Sequence, residues 1–299
     1  MKRTAYLVLL LSFIPLFLNA QNIAVTLKVS GQVNVTNLEN QTSPLERGDS
    51  FQGGERIETL SDGMAVIVFL DDQSQLSIQK NTTLTIGAEV TATAISKQID
   101  MQFGKLRAEV EEQRGEFLIS TPVSVASVKG TDFWATSDPI LGDIFLGVTG
   151  LIEVQNLISG GIIEVGGGQV GTSDLEGNTE VATYVLLVGE LLSVSDTRLT
   201  MEPAQVGEGV QFNGQVLLSN RTTYAGPEPA VGSMTTISGT ANDDGSVEAI
   251  QVVVEEVEEE LEEVEDTGDT GEAGTQPGEL RIRFTDPDGV TKELIIDYQ

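Results

Sequence analysis

The segment Phe117–Trp134 constrains the fold more than any other part of the chain. Its odd-numbered positions up to Val125 carry Phe, Ile, Thr, Val and Val, and Pro122 breaks the pattern once. Alternation with a period of two places one set of side chains on the buried face of a strand. Because proline cannot donate to a sheet, Pro122 is expected at a strand start or an edge. The sequence predicts a strand, a turn at Lys129-Gly130-Thr131, and a second strand that carries Phe133 and Trp134.

Short strands and turns are predicted from residue 22 to about residue 196. Ala65–Leu70 is almost continuously apolar, the pattern of a strand buried on both faces. Asp71–Ser74 is predicted as the turn after it, and Glu111–Gly115 as a solvated hairpin loop. The other predicted strands carry the alternating residues Leu76, Ile78, Leu84 and Ile86 or span Ile23–Val29, Gln32–Val35, Met101–Ala108, Asp143–Val148, Ile152–Gln155 and Ile162–Val165.

Further strands are predicted in the last third of the chain. They are Tyr184–Val194, broken at Gly189, then Gln211–Leu218, Met234–Thr240 and Val247–Val254. Glycine, asparagine and proline turns separate them, which favours a small β-domain. Leu280–Phe284 and Val290–Tyr298 flank the turn signal Asp286-Pro287-Asp288-Gly289, so they are predicted to form a hairpin.

The acidic segment Glu255–Asp266 supports two interpretations. Apolar residues from Val247 to Val264 recur at spacings of three and four, a heptad-like seam that would suit a helix pairing with a partner. The nine acidic residues between Glu255 and Asp266 would repel each other in a parallel pair, and Val247–Val254 is a good strand by itself. A solvated acidic linker is therefore the favoured interpretation.

The central segment also carries a family resemblance. Thr121-Pro122, Val125-Ala126, Val128–Thr131 and Phe133 resemble the TP–VA–VRGT–F signature of FecR-type periplasmic domains, with Lys129 in the place of arginine. The order of further motifs is similar between about Gly31 and Gln169. They are Leu45–Asp49, Gly53–Thr59, the turn Asp71–Ser74, Met101–Ala108, the hairpin around Thr149-Gly150, and Gly166–Gln169. Within them, Glu55 stands in the place of an aspartate of the family pattern, and Gln73 in the place of a glycine.

The resemblance implies an all-β fold, a compact FecR-type domain of short strands in stacked or sandwiched sheets. The predicted organisation is a signal peptide at 1–20, this domain at 21–196, and a small β-domain at 197–254. An acidic linker at 255–279 and a C-terminal β-hairpin at 280–299 follow.

The amino-terminal residues have the order of a secretory signal peptide. Lys2-Arg3 precede the apolar run Ala5–Leu18, and Asn19-Ala20 lead into Gln21, where the mature chain is expected to begin. The shortness of the run and Pro15 argue against the alternative, an uncleaved membrane anchor. Regulators of the resembled family that control iron-uptake signalling carry a cytoplasmic anti-sigma segment before a membrane span. Only about two residues precede the apolar run, so we expect a stand-alone exported member without that segment.

Composition excludes several function classes. The net charge is −30, with 46 acidic and 16 basic residues, so a nucleic acid or an anionic membrane surface is a poor partner. The absence of cysteine and histidine excludes thiol and imidazole chemistry at catalytic or metal sites. Calcium is the metal that the composition permits. Its best clusters, Asn242–Gly245 and Asp266–Glu272, lack the spacing of an EF-hand loop, and turn and linker chemistry explains both.

No catalytic, cofactor-binding or metal-binding residue is therefore predicted. Asp71-Asp72 and Glu111-Glu112 could form a carboxylate pair for glycoside hydrolysis, but solvated turns are the favoured interpretation. The first function hypothesis is a non-enzymatic exported envelope module that binds or scaffolds an envelope protein or glycan. The alternative is a periplasmic component of a signal-transduction system that acts through a separate membrane partner. A carboxylate hydrolase is the least supported third hypothesis.

Overall fold

The computed structural model describes residues 21–91, 94–110, 114–206 and 210–255 in full, and the backbone of 278–285 and 291–298. All 22 regular elements in these residues are β-strands, which confirms the predicted all-β fold. The described residues include no helix with the length and apolar character of a membrane span. The chain divides into two compact units, Met1–Glu256 and Val257–Gln299.

The larger unit contains two sheets that share one strand, β15. Nearly all neighbouring strands are antiparallel; β10 runs parallel to β9, and β17 and β18 run parallel to β20. The first sheet contains β1 Ala24–Ser30, β2 Val33–Thr36, β3 Thr42–Pro44, β4 Ser50–Phe51, β5 Glu55–Thr59, β6 Met64–Phe69, β7 Gln75–Ile78, β8 Thr82–Val90, β9 Ile95–Glu109, β10 Phe117–Ser120, β11 Ser124–Asp138, β12 Gly142–Asn156, β13 Ile162–Gly166 and β14 Gln169–Ser173. The second sheet contains β15 Thr179–Ser195, β16 Arg198–Val206, β17 Gln215–Leu217, β18 Thr223–Ala225, β19 Met234–Ala241 and β20 Val247–Val254.

Strands β11 and β12 form a long hairpin that bends at facing bulges. Each strand has 15 residues, and the pairing runs from Ser124 opposite Asn156 to Asp138 opposite Gly142. The register shifts between Lys129 and Asp132, where Gly130 has a φ of 57°. A side chain at Gly150 would lie 2.6 Å from the Gly130 carbonyl oxygen, so both strands need glycine at the bend.

The predicted turn at Lys129–Thr131 is therefore wrong, and so is the predicted hairpin around Thr149-Gly150. The chain continues through both points as a bulged strand. The sequence is misleading here because a bulge uses the same glycine conformation as a tight turn. The expected burial of Val128 and Phe133 is confirmed. Val125, expected on the buried face, is half-exposed, because the turn at Thr121–Val123 changes which face is buried.

Three other strand predictions require correction. Ala65–Leu70 is fully buried on one face only, because β6 presents alternate side chains to the core and Leu70 is exposed. Glu111–Gly115 cannot be a hairpin loop, because β10 returns parallel to the first half of β9; residues 111–113 themselves lie outside the described residues. Tyr184–Val194 is one strand with a bulge at Gly189, and Gln211–Leu218 contributes only the short β17.

The first core confirms much of the predicted alternation. Leu76, Ile78, Leu84 and Ile86 are all completely buried, on β7 and β8. Gln73, which replaces the glycine of the resembled family, has a φ of 60°, so the turn keeps its left-handed conformation without glycine.

The second core begins within β15. Residues Thr179–Thr183 of this strand pair with β14, whereas Tyr184–Ser195 pair with β16 and β19. The second hydrophobic cluster accordingly includes Val185 and Leu187. The domain boundary predicted between residues 196 and 197 stays a prediction. The second sheet begins before it, because residues 184–195 of β15 already belong to that sheet.

Predictions for the carboxy-terminal residues have mixed outcomes. The strand Val247–Val254 is confirmed as β20, which rules out the helical seam over those residues. In the smaller unit, β21 Gly278–Thr285 pairs antiparallel with β22 Thr291–Tyr298, as the predicted hairpin requires. The turn 286–289, residues 256–277 of the acidic segment, and the predicted signal peptide at 1–20 lie outside the described residues.

Candidate ligand-binding cleft

A cleft of about 640 Å³ lies between one face of the first sheet and one face of the second. The first wall is a set of neighbouring strand positions. Lys105 on β9 lies opposite Thr136 on β11, and Thr136 lies opposite Ile144 on β12. One step along the sheet, Trp134 pairs with Leu146. These residues are on the face opposite to the buried Phe133 and Ala135, so the core faces one side and the cleft the other.

The second wall comes from the second sheet. Ser238 on β19 lies opposite Gln251 on β20, and Gln251 pairs with Thr223 on β18. Arg221 and Tyr184 complete this wall. Because β15 runs from one sheet into the other, the strand that carries Tyr184 holds the two faces next to each other.

The charge of the cleft is opposite to that of the chain. In the part of the chain that the structure describes, its lining includes three basic side chains, Lys80, Lys105 and Arg221, and one acidic side chain, Asp138. The chain as a whole carries −30. A concave surface with a local excess of positive charge attracts anions at short range, where the distant acidic residues are screened by salt.

Trp134 is the only tryptophan of the chain, and it organises the basic side chains around it. The Lys105 Nζ lies 4.8 Å from the centre of its ring, and the Arg107 Cζ lies 6.0 Å from it. Such cation–π contacts orient the cationic groups beside the aromatic face. Arg107 is neutralised by Asp132 at 2.8 Å and Glu109 at 3.1 Å.

Lys105 has a different environment from Arg107. No carboxylate of the described residues lies within salt-bridge distance of its ammonium group. Its side chain is exposed to the cleft, yet desolvation by the surrounding walls lowers its pKa below the ordinary value of 10.5. Desolvation also raises the pKa of Tyr184, against the effect of its hydrogen bond with Ser238. The cleft thus holds a cation that lacks an anionic partner among the described residues.

Sequence reasoning did not identify this cleft. The sequence predicts strands for both Trp134 and Lys105, but only the register of β9 and β11 brings these residues, about 30 positions apart, together. The sequence does place Lys105, Arg107 and Trp134 on the face of their strands that is opposite to the core. In an isolated sheet such residues would face solvent, and they line a cleft only when a second sheet covers that face.

The described carboxylates of the pair considered for catalysis, Asp71 and Asp72, do not line the cleft. Asp71 and Asp72 bind the buried Lys97, whose Nζ lies 2.6 Å from Asp72 Oδ2 and 3.1 Å from Asp71 Oδ2. Their possible partners Glu111-Glu112 lie outside the described residues, as does the cluster Asp266–Glu272.

The Asn242–Gly245 cluster is a turn. Asp244 Oδ1 accepts hydrogen bonds from the backbone nitrogen of Ser246 at 2.8 Å and from its hydroxyl at 2.6 Å. In the described part of the chain, no three acidic residues come together as metal ligands would.

Asp143 is a buried carboxyl that no pattern in the sequence singles out. Its side chain is inaccessible to solvent, and the Thr121 hydroxyl donates to its Oδ2 at 2.5 Å. Burial raises its pKa, and hydrogen bonds from Thr121, Ser137 and Ser124 oppose this effect. It is a structural group, closed to any substrate.

Comparison with known proteins finds a family match within the first sheet. The family model described as FecR protein matches residues 55–142, which include Lys105 and Trp134. No curated protein matches the chain.

Two solved structures of candidate anti-sigma factors from Parabacteroides distasonis ATCC 8503 show some similarity. The first is 15% identical with a TM-score of 0.36, and the matched region covers 43% of this chain and 59% of that one. The second is 12% identical with a TM-score of 0.38, covering 68% of this chain and 99% of that one. The family match over residues 55–142 agrees with the resemblance seen in the motifs.

Proposed function

We propose that the protein is a non-enzymatic, exported module of the cell envelope that binds an anionic saccharide in the cleft between its two sheets. The observation that carries this proposal is that Lys80, Lys105 and Arg221 line one cleft together with the sole tryptophan, in a chain of net charge −30.

Lys105 is the group that selects an anion. Its ammonium faces the cleft without a carboxylate partner among the described residues, so an incoming anion loses no competing ion pair. A hydrogen bond to a charged group contributes about 1.5–3 kcal/mol. Because Lys105 is open to solvent on one side, the lower end of this range applies.

The remaining lining favours a saccharide over other anions. Hydroxyl groups are recognised by side chains that can both donate and accept, and the cleft offers such groups from both walls: Gln79, Asn81, Thr136, Thr223, Ser238 and Gln251. Trp134 and Tyr184 add apolar surface with a polar edge, which suits a ring that is apolar on its faces and polar at its rim. A nucleic acid is disfavoured by the overall charge.

Binding without catalysis is supported by the state of the acidic groups. Asp71 and Asp72 are held by Lys97, and Asp143 is buried. Among the described residues, the cleft is lined by one carboxylate, Asp138, whose Oδ1 accepts hydrogen bonds from the backbone of Ile140 and Leu141. A paired-carboxylate mechanism needs two free carboxyl groups facing each other.

A second candidate is a periplasmic component of signal transduction that works through a separate membrane partner. The FecR match over residues 55–142 favours it, since the best-known proteins of that family are signalling regulators. The two candidates are compatible if occupancy of the cleft is the signal. Export by the signal peptide at 1–20 is part of both.

Calorimetric titration with tetragalacturonic acid, and with the neutral galactose tetrasaccharide as the matched ligand, tests the proposal. We expect saturable binding of the acidic ligand only. Lys105→Gln should weaken it about tenfold, because one charge-assisted hydrogen bond is lost. Lys28→Gln, a substitution at an exposed lysine on β1, is the control and should not change the affinity. Equal binding of both tetrasaccharides, or an unchanged affinity in Lys105→Gln, would contradict the proposal.

A further inference from the structure

Four loops meet at one end of the first sheet, and together they form what we call the loop tip. The loops are 121–123, 139–141, 157–161 and 174–178, each joining two strands. The Leu157 backbone nitrogen donates to the Val123 carbonyl at 2.8 Å, which joins the first and third loops. Asn156 Nδ2 donates to the Asp174 carbonyl at 2.9 Å, which joins the third and fourth. The second loop is adjacent, because a side chain at Gly142 would lie 2.8 Å from the Asp174 Cα.

The loop tip exposes large apolar side chains. Ile140 is 80% exposed, Ile158 57%, Leu157 52% and Leu175 40%, and they come from three of the four loops. Exposed apolar residues that stand singly are normal, but a group of them at one end of a fold marks an interaction surface.

The backbone beneath these side chains is fixed. Asp138 Oδ1 accepts from the backbone nitrogen of Ile140 at 2.8 Å, and Asn156 Oδ1 accepts from that of Ile158 at 2.8 Å. In the turn that follows Leu175, Asp174 Oδ1 accepts hydrogen bonds from the backbone nitrogens of Glu176 and Asn178. A surface that is already ordered loses little conformational entropy when a partner binds.

The charge around the loop tip limits what can cover it. Asp138, Asp174 and Glu176 are acidic, and the segments 121–123, 138–142, 156–161 and 173–178 contain no lysine or arginine. An anionic lipid surface would be repelled. A second copy of the chain would bring the same acidic rim and another net charge of −30. A protein with the complementary charge is favoured, since charge complementarity guides association.

We infer that the loop tip docks onto a protein whose surface offers an apolar pocket rimmed by lysine or arginine. The apolar side chains enter the pocket, and Asp174 and Glu176 face the basic rim. The loop tip adjoins the cleft at the loop of Ile140, because Asp138, Leu141 and Gly142 also line the cleft. The docking inference does not depend on the saccharide proposal, since Ile158 and Glu176 are not among the cleft residues.

Site-specific photocrosslinking of the full chain in the cells that produce it tests the inference. Benzoylphenylalanine replaces Ile140 or Ile158 in the test proteins, and it replaces Val231, an exposed valine outside these loops, in the control. We expect one protein adduct of the same mass from positions 140 and 158 and none from position 231. Glu176→Lys should reduce the adduct about fivefold, because it opposes the basic rim, whereas Glu248→Lys, at an exposed site on β20, should not.

Several results would overturn the inference. They are an adduct made only with lipid, an adduct made only with a second copy of the chain, an equal yield from position 231, no adduct at all, or a yield that Glu176→Lys leaves unchanged. Thermal melts of each purified variant show whether it is folded, so that a lost adduct in a folded variant reports on docking.

Discussion

Replacing Lys97 by methionine removes the cation from a buried charge network, and the structure sets the size of the effect. Lys97 joins the turn after β6 to β9: its side chain is 1% exposed and that of Asp72 is 0% exposed, with the charged atoms 2.6 Å apart. Nζ also donates to the Ile95 carbonyl and lies 5.3 Å from the centre of the Phe69 ring. Methionine keeps the length and the apolar stem but leaves the carboxylates of Asp71 and Asp72 without compensation.

Removing one partner of a buried ion pair costs about 3–5 kcal/mol, because an uncompensated charge stays inside the protein. At about 2–4 °C per kcal/mol for a unit of this size, we expect Lys97→Met to lower the melting temperature by roughly 6–20 °C. Lys28→Met on the exposed face of β1 is the control and should shift it by less than about 2 °C.

The pH dependence gives this prediction a second readout. Burial alone would raise the pKa of Asp72, but hydrogen bonds from Lys97 and Ser74 and the charge of Lys97 hold it below its ordinary value of 3.8. The network therefore stabilises the native protein above that pH and is lost as the pH falls through the lowered pKa. In Lys97→Met, only the hydrogen bonds from Ser74 still oppose burial, so the pKa of Asp72 rises relative to the wild type. The penalty of the variant is therefore full at neutral pH and shrinks in acid.

Circular-dichroism melts of both variants between about pH 3 and pH 7 measure the two effects. Adding Asp72→Asn to Lys97→Met should recover part of the lost stability at neutral pH, because one uncompensated charge is removed. A shift of less than about 2 °C for Lys97→Met, or a penalty that is the same at both ends of the pH range, would refute the reasoning.

Three further predictions follow from other parts of the chain. Gly130→Val should destabilise the protein by more than about 1 kcal/mol in thermal melts, because a β-branched residue is costly at a positive φ. Gly130→Asn should destabilise it less, and an equal loss of stability in the two variants would contradict the left-handed conformation of residue 130. Burial raises the folded pKa of Asp143, so its contribution to stability is full below pH 3.8 and is lost as the pH rises through the folded pKa. Thermal melts of Asp143→Asn should therefore show a gain relative to the wild type as the pH rises above 3.8, and a difference that stays constant with pH would contradict this. The lowered pKa of Lys105 means that affinity for the acidic tetrasaccharide, measured by calorimetry, should decline at a lower alkaline pH than an ordinary lysine with pKa 10.5 would give.

Local patterns in the sequence predict most of the strands but not the way that they bend. Leu76, Ile78, Leu84 and Ile86 are buried as their alternation predicts, because a strand with one core face imposes that period. Gly130 looks the same in a turn as in a bulge, since both need a left-handed conformation. Only its pairing with β12 decides between them, and that pairing involves residues distant in sequence.

The cleft was less accessible to prediction than the strands. It depends on β15 passing from one sheet to the other and on the register that sets Lys105 one strand away from Trp134. The resemblance to FecR-type domains helped with the fold because its motifs are turn and strand residues. It gave no information on the cleft, since the opposite wall is built from residues beyond the matched segment 55–142.

The most direct test of the central claim is the fluorescence of Trp134 during titration with tetragalacturonic acid. The chain has one tryptophan, so all of the tryptophan emission comes from the wall of the cleft. We expect a saturable change in intensity or wavelength with the acidic tetrasaccharide, none with its neutral counterpart, and a weaker response in Lys105→Gln. An emission spectrum that stays unchanged up to saturating acidic ligand, or that changes equally with the neutral one, would contradict this expectation.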